Sequence, residues 1–85
     1  MTWQLKIARQ ARKALERFPL KDQGYITTAL EEMRNNPFSG DLIRLKNQTA
    51  TFRRRVGNYR IFFDAYPEDR TLHVVAIRRR TSTTY

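Results

Sequence analysis

Arginine is concentrated in one short stretch of this sequence. Arg53, Arg54, Arg55 and Arg60 fall close together, Arg78, Arg79 and Arg80 form a second run, and Tyr85 follows it. A guanidinium is a planar fork of donors that matches phosphate oxygens in pairs, and it stays charged at any ordinary pH. In an extended strand Arg53 and Arg55 project to one face, about 7 Å apart, while Phe52, Arg54 and Val56 project to the other. Two such forks can clamp one phosphate group or two neighbouring ones, and Arg60 can join them from across a turn. Three cations converging on one sheet face repel one another unless an anion is present. The chemistry this pattern offers is binding, and stabilising charge on, a phosphate-rich partner.

The charge balance points the same way. The chain has 85 residues, a formal net charge of +9 and a pI of about 10.9. Residues 1–43 carry 7 basic and 5 acidic side chains, whereas residues 44–85 carry 10 basic and 3 acidic. Nine of those ten are Arg, the exception being Lys46. A polyanion, most simply nucleic acid, is the partner such a surplus suits. A hydrophobic fraction of 40% separates the chain from a disordered basic tail.

Other classes are excluded by what is missing. There is no Cys, which removes disulfide scaffolds and Cys-rich zinc modules. A single His, His73, removes multi-His metal sites, so neither a metal nor another cofactor is expected. No run of about 18 apolar residues is present, and MTWQLKIARQ lacks the apolar region of a signal peptide. The expectation is a cytoplasmic protein without a membrane partner. The length allows one domain, residues 1–85. A chain this short buries only roughly 60–65% of the surface that its unfolded form exposes.

The elements that must position the arginines follow from periodicity. Thr2–Ala8 alternates, with Trp3, Leu5 and Ile7 on one side, and predicts a half-buried strand. Ala8, Ala11, Leu15 and Phe18 form one stripe on a helix over Arg9–Phe18, which Pro19 ends. Ile26, Ala29, Leu30 and Met33 predict a second helix over about Lys21–Asn35, stopped at Asn35-Asn36-Pro37. The remainder reads as strands Leu42–Lys46, Phe52–Val56, Tyr59–Tyr66 and Leu72–Arg78. Gly57-Asn58 and Pro67-Glu68-Asp69-Arg70 are turns, and Arg79–Tyr85 is a polar tail. The fold class is therefore α+β in two layers: an N-terminal strand, a helical hairpin, then an antiparallel β-meander in the same sheet. The hairpin covers one sheet face and leaves the other to the basic residues. Trp3, Tyr59, Phe62 and Phe63 read as core, and His73 as a surface or packing residue.

On these residues the chain resembles the RelE/ParE superfamily of bacterial toxins. The resemblance rests on Phe52-Arg53-Arg54-Arg55-Val56-Gly57-Asn58-Tyr59-Arg60 followed by an apolar strand. Upstream it includes Asn36-Pro37 and Leu45-Lys46. Downstream it includes Val74-Val75-Ala76-Ile77-Arg78-Arg79 and Tyr85, so that nearly the whole chain is covered. The resemblance implies a RelE-like, microbial-RNase-type fold and the toxin of a type II toxin–antitoxin pair. RelE-like members cut messenger RNA in the ribosomal A site, and ParE-like members inhibit DNA gyrase. Both have a cognate antitoxin, and operator DNA is met only through the antitoxin complex.

Metal-free RNA cleavage uses the ribose 2′-OH as nucleophile on the adjacent phosphate. It needs a base for that hydroxyl, donors for the phosphorane and an acid for the leaving 5′-oxygen. Carried over by position, the resemblance implies Arg53, Arg55, Arg60, Arg79 and Tyr85 as catalytic residues. Arg60 binds phosphate and stabilises transition-state charge. Arg79 stabilises the phosphorane or protonates the leaving oxygen. Tyr85 orients or deprotonates the 2′-OH, or stacks on a base. Arginine's pKa, above about 12, makes Arg53 and Arg55 stabilisers rather than bases. Lys46, Arg54, Arg78 and Arg80 complete an RNA-binding set, with Arg54 on the opposite strand face, at a sheet edge. The expected function is a ribosome-dependent endoribonuclease. The alternatives are a gyrase-binding toxin of the ParE kind and a plain RNA-binding module.

Overall fold

A computed structural model describes residues 2–46 and 50–80. Its elements are β1 (Gln4–Ile7), α1 (Arg9–Arg17), α2 (Leu20–Asn35), β2 (Asp41–Arg44), β3 (Phe52–Val56), β4 (Tyr59–Tyr66) and β5 (Thr71–Arg79). The five strands form one sheet in the order β1-β5-β4-β3-β2. β2 to β5 are an antiparallel meander, and β1 returns beside β5 in parallel. The two helices carry the chain from β1 at one edge to β2 at the other, and the meander then returns to lay β5 beside β1.

The helices form where the apolar stripes predict them. Pro19 separates the pair by forcing Phe18 into extended backbone, φ −79° and ψ 156°. Gln23 secures the corner by donating from Nε2 to the carbonyl of Phe18 at 2.8 Å. Both helices lie on one sheet face. There Ala11, Ile26, Ala29, Leu30 and Met33 meet Tyr59, Ile61, Phe63, Leu72, Val74 and Ile77. Tyr59 and Phe63 are core, as expected; Trp3 is half-buried at its margin.

Phe62 is not core. It alternates out of phase with Ile61 and Phe63, so it stands on the open face. The turn between β3 and β4 uses Gly57 at φ +59°, the left-handed geometry of the first residue of a II′ hairpin turn. Strand β5 is longer than expected and takes in Arg79.

It also carries one unmatched residue. Phe62 pairs with Ala76 and Phe63 pairs with Val74, which leaves Val75 as a bulge. Residues 72 and 74 are buried under the helices before the bulge, and residue 77 after it. The bulge thus shifts the alternation of β5 by one. No described helix is long and apolar enough to cross a membrane.

Candidate functional site

The open sheet face is built from the strand positions that alternate with the core. Across one end of it, cross-strand pairing aligns Asp41, Arg55, Arg60 and Arg78 on β2, β3, β4 and β5. The next row holds Ile43, Arg53, Phe62 and Ala76. Neighbouring strands lie about 4.8 Å apart, so the Arg55, Arg60 and Arg78 backbones fall within about 10 Å of one another. Like charges placed directly opposite on a sheet destabilise it. Asp41 stands in the same row, yet among the described residues no carboxylate comes within 4.0 Å of Arg53, Arg55, Arg60, Arg78 or Arg80.

The site is therefore a cluster of uncompensated guanidinium groups. The Arg60 guanidinium is held below the ordinary arginine range, first by its partial withdrawal from water. The positive fields of Arg53, Arg80 and Arg55 lower it further. Arg53 is half-buried, and among the described residues its Nε has no hydrogen-bond partner. Arg78 lies over the Phe62 ring, 5.4 Å from its centroid, in a cation–π contact that fixes its direction. Arg80 follows the strand, its N–H donating to Asn58 O at 2.6 Å.

Arg53, Arg55 and Arg60 thus converge as the sequence led one to expect, and Arg78 and Arg80 join them. Arg79 does not. It pairs with Tyr59 on the face that the helices cover, and its guanidinium lies 5.8 Å from the Tyr59 ring centroid. The Val75 bulge is the cause, because it moves even-numbered positions after 75 onto the open face. The sequence hides it: Leu72 to Ile77 is almost continuously apolar, and the spacing of two then three between buried residues is invisible there. Lys46 is exposed at the far end of β2, level with Ala50 and about 16 Å along the sheet from the arginine row. Tyr85 lies outside the described residues.

Arg54, expected at a sheet edge in the RNA-binding set, is instead buried, 7% exposed. Its side chain runs beneath α2, where Nη2 bonds Glu32 and Nη1 donates to the Ala29 carbonyl at 3.3 Å. Gly40, at φ +79°, makes room for it: a Cβ there would lie 2.7 Å from Arg54 Nε. Of the triple-arginine strand, two members face the site and the middle one holds the two layers together.

Two concavities of the described residues lie off the cluster. A groove of about 530 Å³ lies on the helix side, lined by Tyr25, Glu32, Val56 and Tyr59 among others, and none of the open-face arginines borders it. There the Tyr59 hydroxyl donates to Asp22 at 2.6 Å. Burial and that acceptor push its pKa up, against the opposing field of Arg79. A depression of about 380 Å³ lies on the open face, at the opposite end from the arginine row.

Comparison with known proteins agrees with the architecture. The family described as the ParE toxin of the type II toxin–antitoxin system, parDE, matches residues 5–83. The archaeal RelE–RelB complex from Pyrococcus horikoshii OT3 contains a chain with a TM-score of 0.82 to this one and 23% identity. The match covers 98% of this chain and 100% of that one. A RelBE toxin–antitoxin complex from Mycobacterium tuberculosis matches with a TM-score of 0.82 and 20% identity, over 94% of this chain and 100% of the other. The isolated RelE toxin of E. coli matches with a TM-score of 0.79 and 13% identity, over 95% and 87%. No curated protein matches. The strand-hairpin-meander order is thus a RelE fold.

Proposed function

The chain belongs to the ParE toxin family of type II toxin–antitoxin systems, and on that premise we propose that its arginine face cleaves messenger RNA on the ribosome. The observation that carries this reading is the row Arg55–Arg60–Arg78 with Arg53 behind it, three strands presenting guanidinium groups to one open surface without an ion pair among the described residues. Such a surface is suited to gripping a phosphodiester.

In the proposed reaction the ribose 2′-oxygen attacks the adjacent phosphorus. A P–O bond forms, the P–O5′ bond breaks, and the products are a 2′,3′-cyclic phosphate and a 5′-hydroxyl. Arg60 and Arg55 grip the non-bridging oxygens and stabilise the charge that grows on them in the phosphorane. Arg53 brings a further half-buried guanidinium to the same face. Arg78, and not Arg79, is the β5 residue on this face. Tyr85 is assigned the orientation or deprotonation of the 2′-OH, since arginine is too basic to accept that proton at neutral pH. The general acid for the 5′-oxygen is drawn from the same cluster.

The partners in this reading are the ribosome with its messenger RNA, and a cognate antitoxin. Similar folds solved as RelE–RelB complexes support the antitoxin. An acidic antitoxin segment would neutralise the arginine row, and operator DNA would be reached only through that complex.

The test is brief induction in cells followed by primer extension across an abundant transcript, for wild type and Arg60→Ala. New in-frame cleavages within translated regions, lost in the variant, support the nuclease. Growth arrest with intact messenger RNA would reject it and favour the gyrase-directed alternative, which the ParE name of the matching family keeps in view. RNA binding without arrest would leave only a binding module.

A further inference from the structure

The open face does not end at the arginines. Along β4 the side chains of Arg60, Phe62, Asp64 and Tyr66 alternate onto it, and the Arg60 to Tyr66 backbone run is about 20 Å. At its far end Tyr66 pairs with Thr71, His73 pairs with Asp64, and Lys6 of β1 pairs with His73. Lys6, Tyr66, Asp69, Thr71 and His73 surround the depression of about 380 Å³. Tyr66 is 48% exposed, a large aromatic ring left uncovered beside a cavity.

The wall opposite the ring is held in place. The Pro67–Arg70 turn closes through Asp69 N to Tyr66 O at 3.1 Å and Arg70 N to Pro67 O at 3.2 Å. Arg70 adopts φ +48° to make it, a conformation that L-residues rarely take. The Arg70 carbonyl is bonded by Gln4 N at 2.7 Å, and Thr71 Oγ1 donates to the Asp69 carbonyl at 3.1 Å. Asp69, Thr71 and His73 thus line the depression together with Tyr66.

Resting on the nuclease reading above, we propose that this depression is a nucleobase subsite for the same RNA strand, away from the scissile phosphate. Single-stranded RNA is recognised by stacking unpaired bases on aromatic rings and bonding their edges. Tyr66 supplies the ring. Asp69, Thr71 and His73 supply edge partners, and Lys6 supplies a cation for the backbone. The near balance of charge around the depression, against the arginine row at the other end, separates the two tasks. Phosphate is gripped at one end and a base is read at the other. Arg78 over Phe62 forms the floor between them.

The experiment is fluorescence anisotropy with 2′-O-methyl oligonucleotides, which cannot be cleaved, of three and of eight nucleotides. The proteins are wild type, Tyr66→Ala, Tyr66→Phe and Arg60→Ala, each full-length and checked for folding by circular dichroism. Base stacking on an aromatic side chain is lost on substitution by Ala with an effect of about 5- to 150-fold. Tyr66→Ala is expected to weaken the eight-mer at least about fivefold and leave the three-mer unchanged, with Tyr66→Phe binding as wild type. Equal eight-mer affinity in Tyr66→Ala and wild type would overturn the subsite. If Arg60→Ala still weakens both oligonucleotides, the nuclease reading survives that result. Failure of wild type to bind either one would overturn the subsite, while the nuclease reading stands or falls with the primer-extension result.

Discussion

Gln10 of α1 donates from Nε2 to the carbonyl of Val75, at 2.9 Å and across 65 residues of chain. Val75 is the one unmatched residue of β5, and the bond holds the carbonyl that the bulge frees from the ladder. Everything after that bulge, Arg78 and Arg80 included, owes its facing to it. A helix on one side of the sheet is thus tied to the bulge that sets which arginines reach the other side.

Gln10→Ala is expected to leave the fold in place at a cost of about 1 kcal/mol, the ordinary worth of one partly exposed hydrogen bond. RNA binding should fall more than stability does, because Arg78 is less firmly directed. Urea unfolding beside oligonucleotide anisotropy measures both. A variant that loses stability and retains full binding would deny the Gln10 bond any part in the site.

Arg78 and Arg79 are adjacent and should behave oppositely. Arg78→Ala removes a phosphate contact and should lower the dependence of log affinity on log salt by about 0.7, with unfolding little changed. Arg79→Ala removes a cation from beside Tyr59 and should leave the salt slope alone. Affinity titrations at several salt concentrations discriminate the two, and the reverse pattern would place β5 in the other register.

The Arg54–Glu32 pair is asymmetric: the Arg54 side chain is 8% exposed and that of Glu32 is 56%. Glu32→Gln strands a buried cation and should cost about 1–3 kcal/mol, less than for a fully buried pair because Glu32 reaches water. Arg54→Met replaces the cation with an apolar chain of similar reach and should cost less. Gly40→Ala should resemble Glu32→Gln, since its Cβ collides with Arg54 and its φ of +79° strains any L-residue. Chemical denaturation of the three variants checks the order.

Tyr59 links the fold to alkaline pH. Its pKa is raised in the folded state, from an ordinary 10.0, so the unfolded chain loses this proton first as pH rises. The native state then binds more protons and stability falls with pH. The contribution is complete below about pH 10 and disappears as pH climbs through the raised value. Tyr59→Phe should therefore be less stable than wild type at pH 7, by about 1 kcal/mol for the lost bond to Asp22. The gap should close at high alkalinity. Unfolding curves at pH 7 and above pH 10 would show it, and a constant gap would refute the linkage.

Much of this molecule is dictated locally. The 3.6-residue stripes placed both helices, Pro19 and Asn36-Pro37 bounded them, and strict alternation placed Arg53 and Arg55 on one face with Arg54 on the other. Those features depend on neighbours within a few residues, which is why a sequence alone states them. Three others depend on what lies across the fold. Arg54 is buried because Glu32 and the missing side chain of Gly40 happen to meet it. Phe62 is outward because Ile61 and Phe63 take the core positions on either side. Arg78 replaces Arg79 in the candidate site because a single bulge, capped by Gln10 from another layer, turns the end of β5 by one residue. An apolar run cannot record its own phase; only the strand it pairs with and the helix that packs on it can fix that.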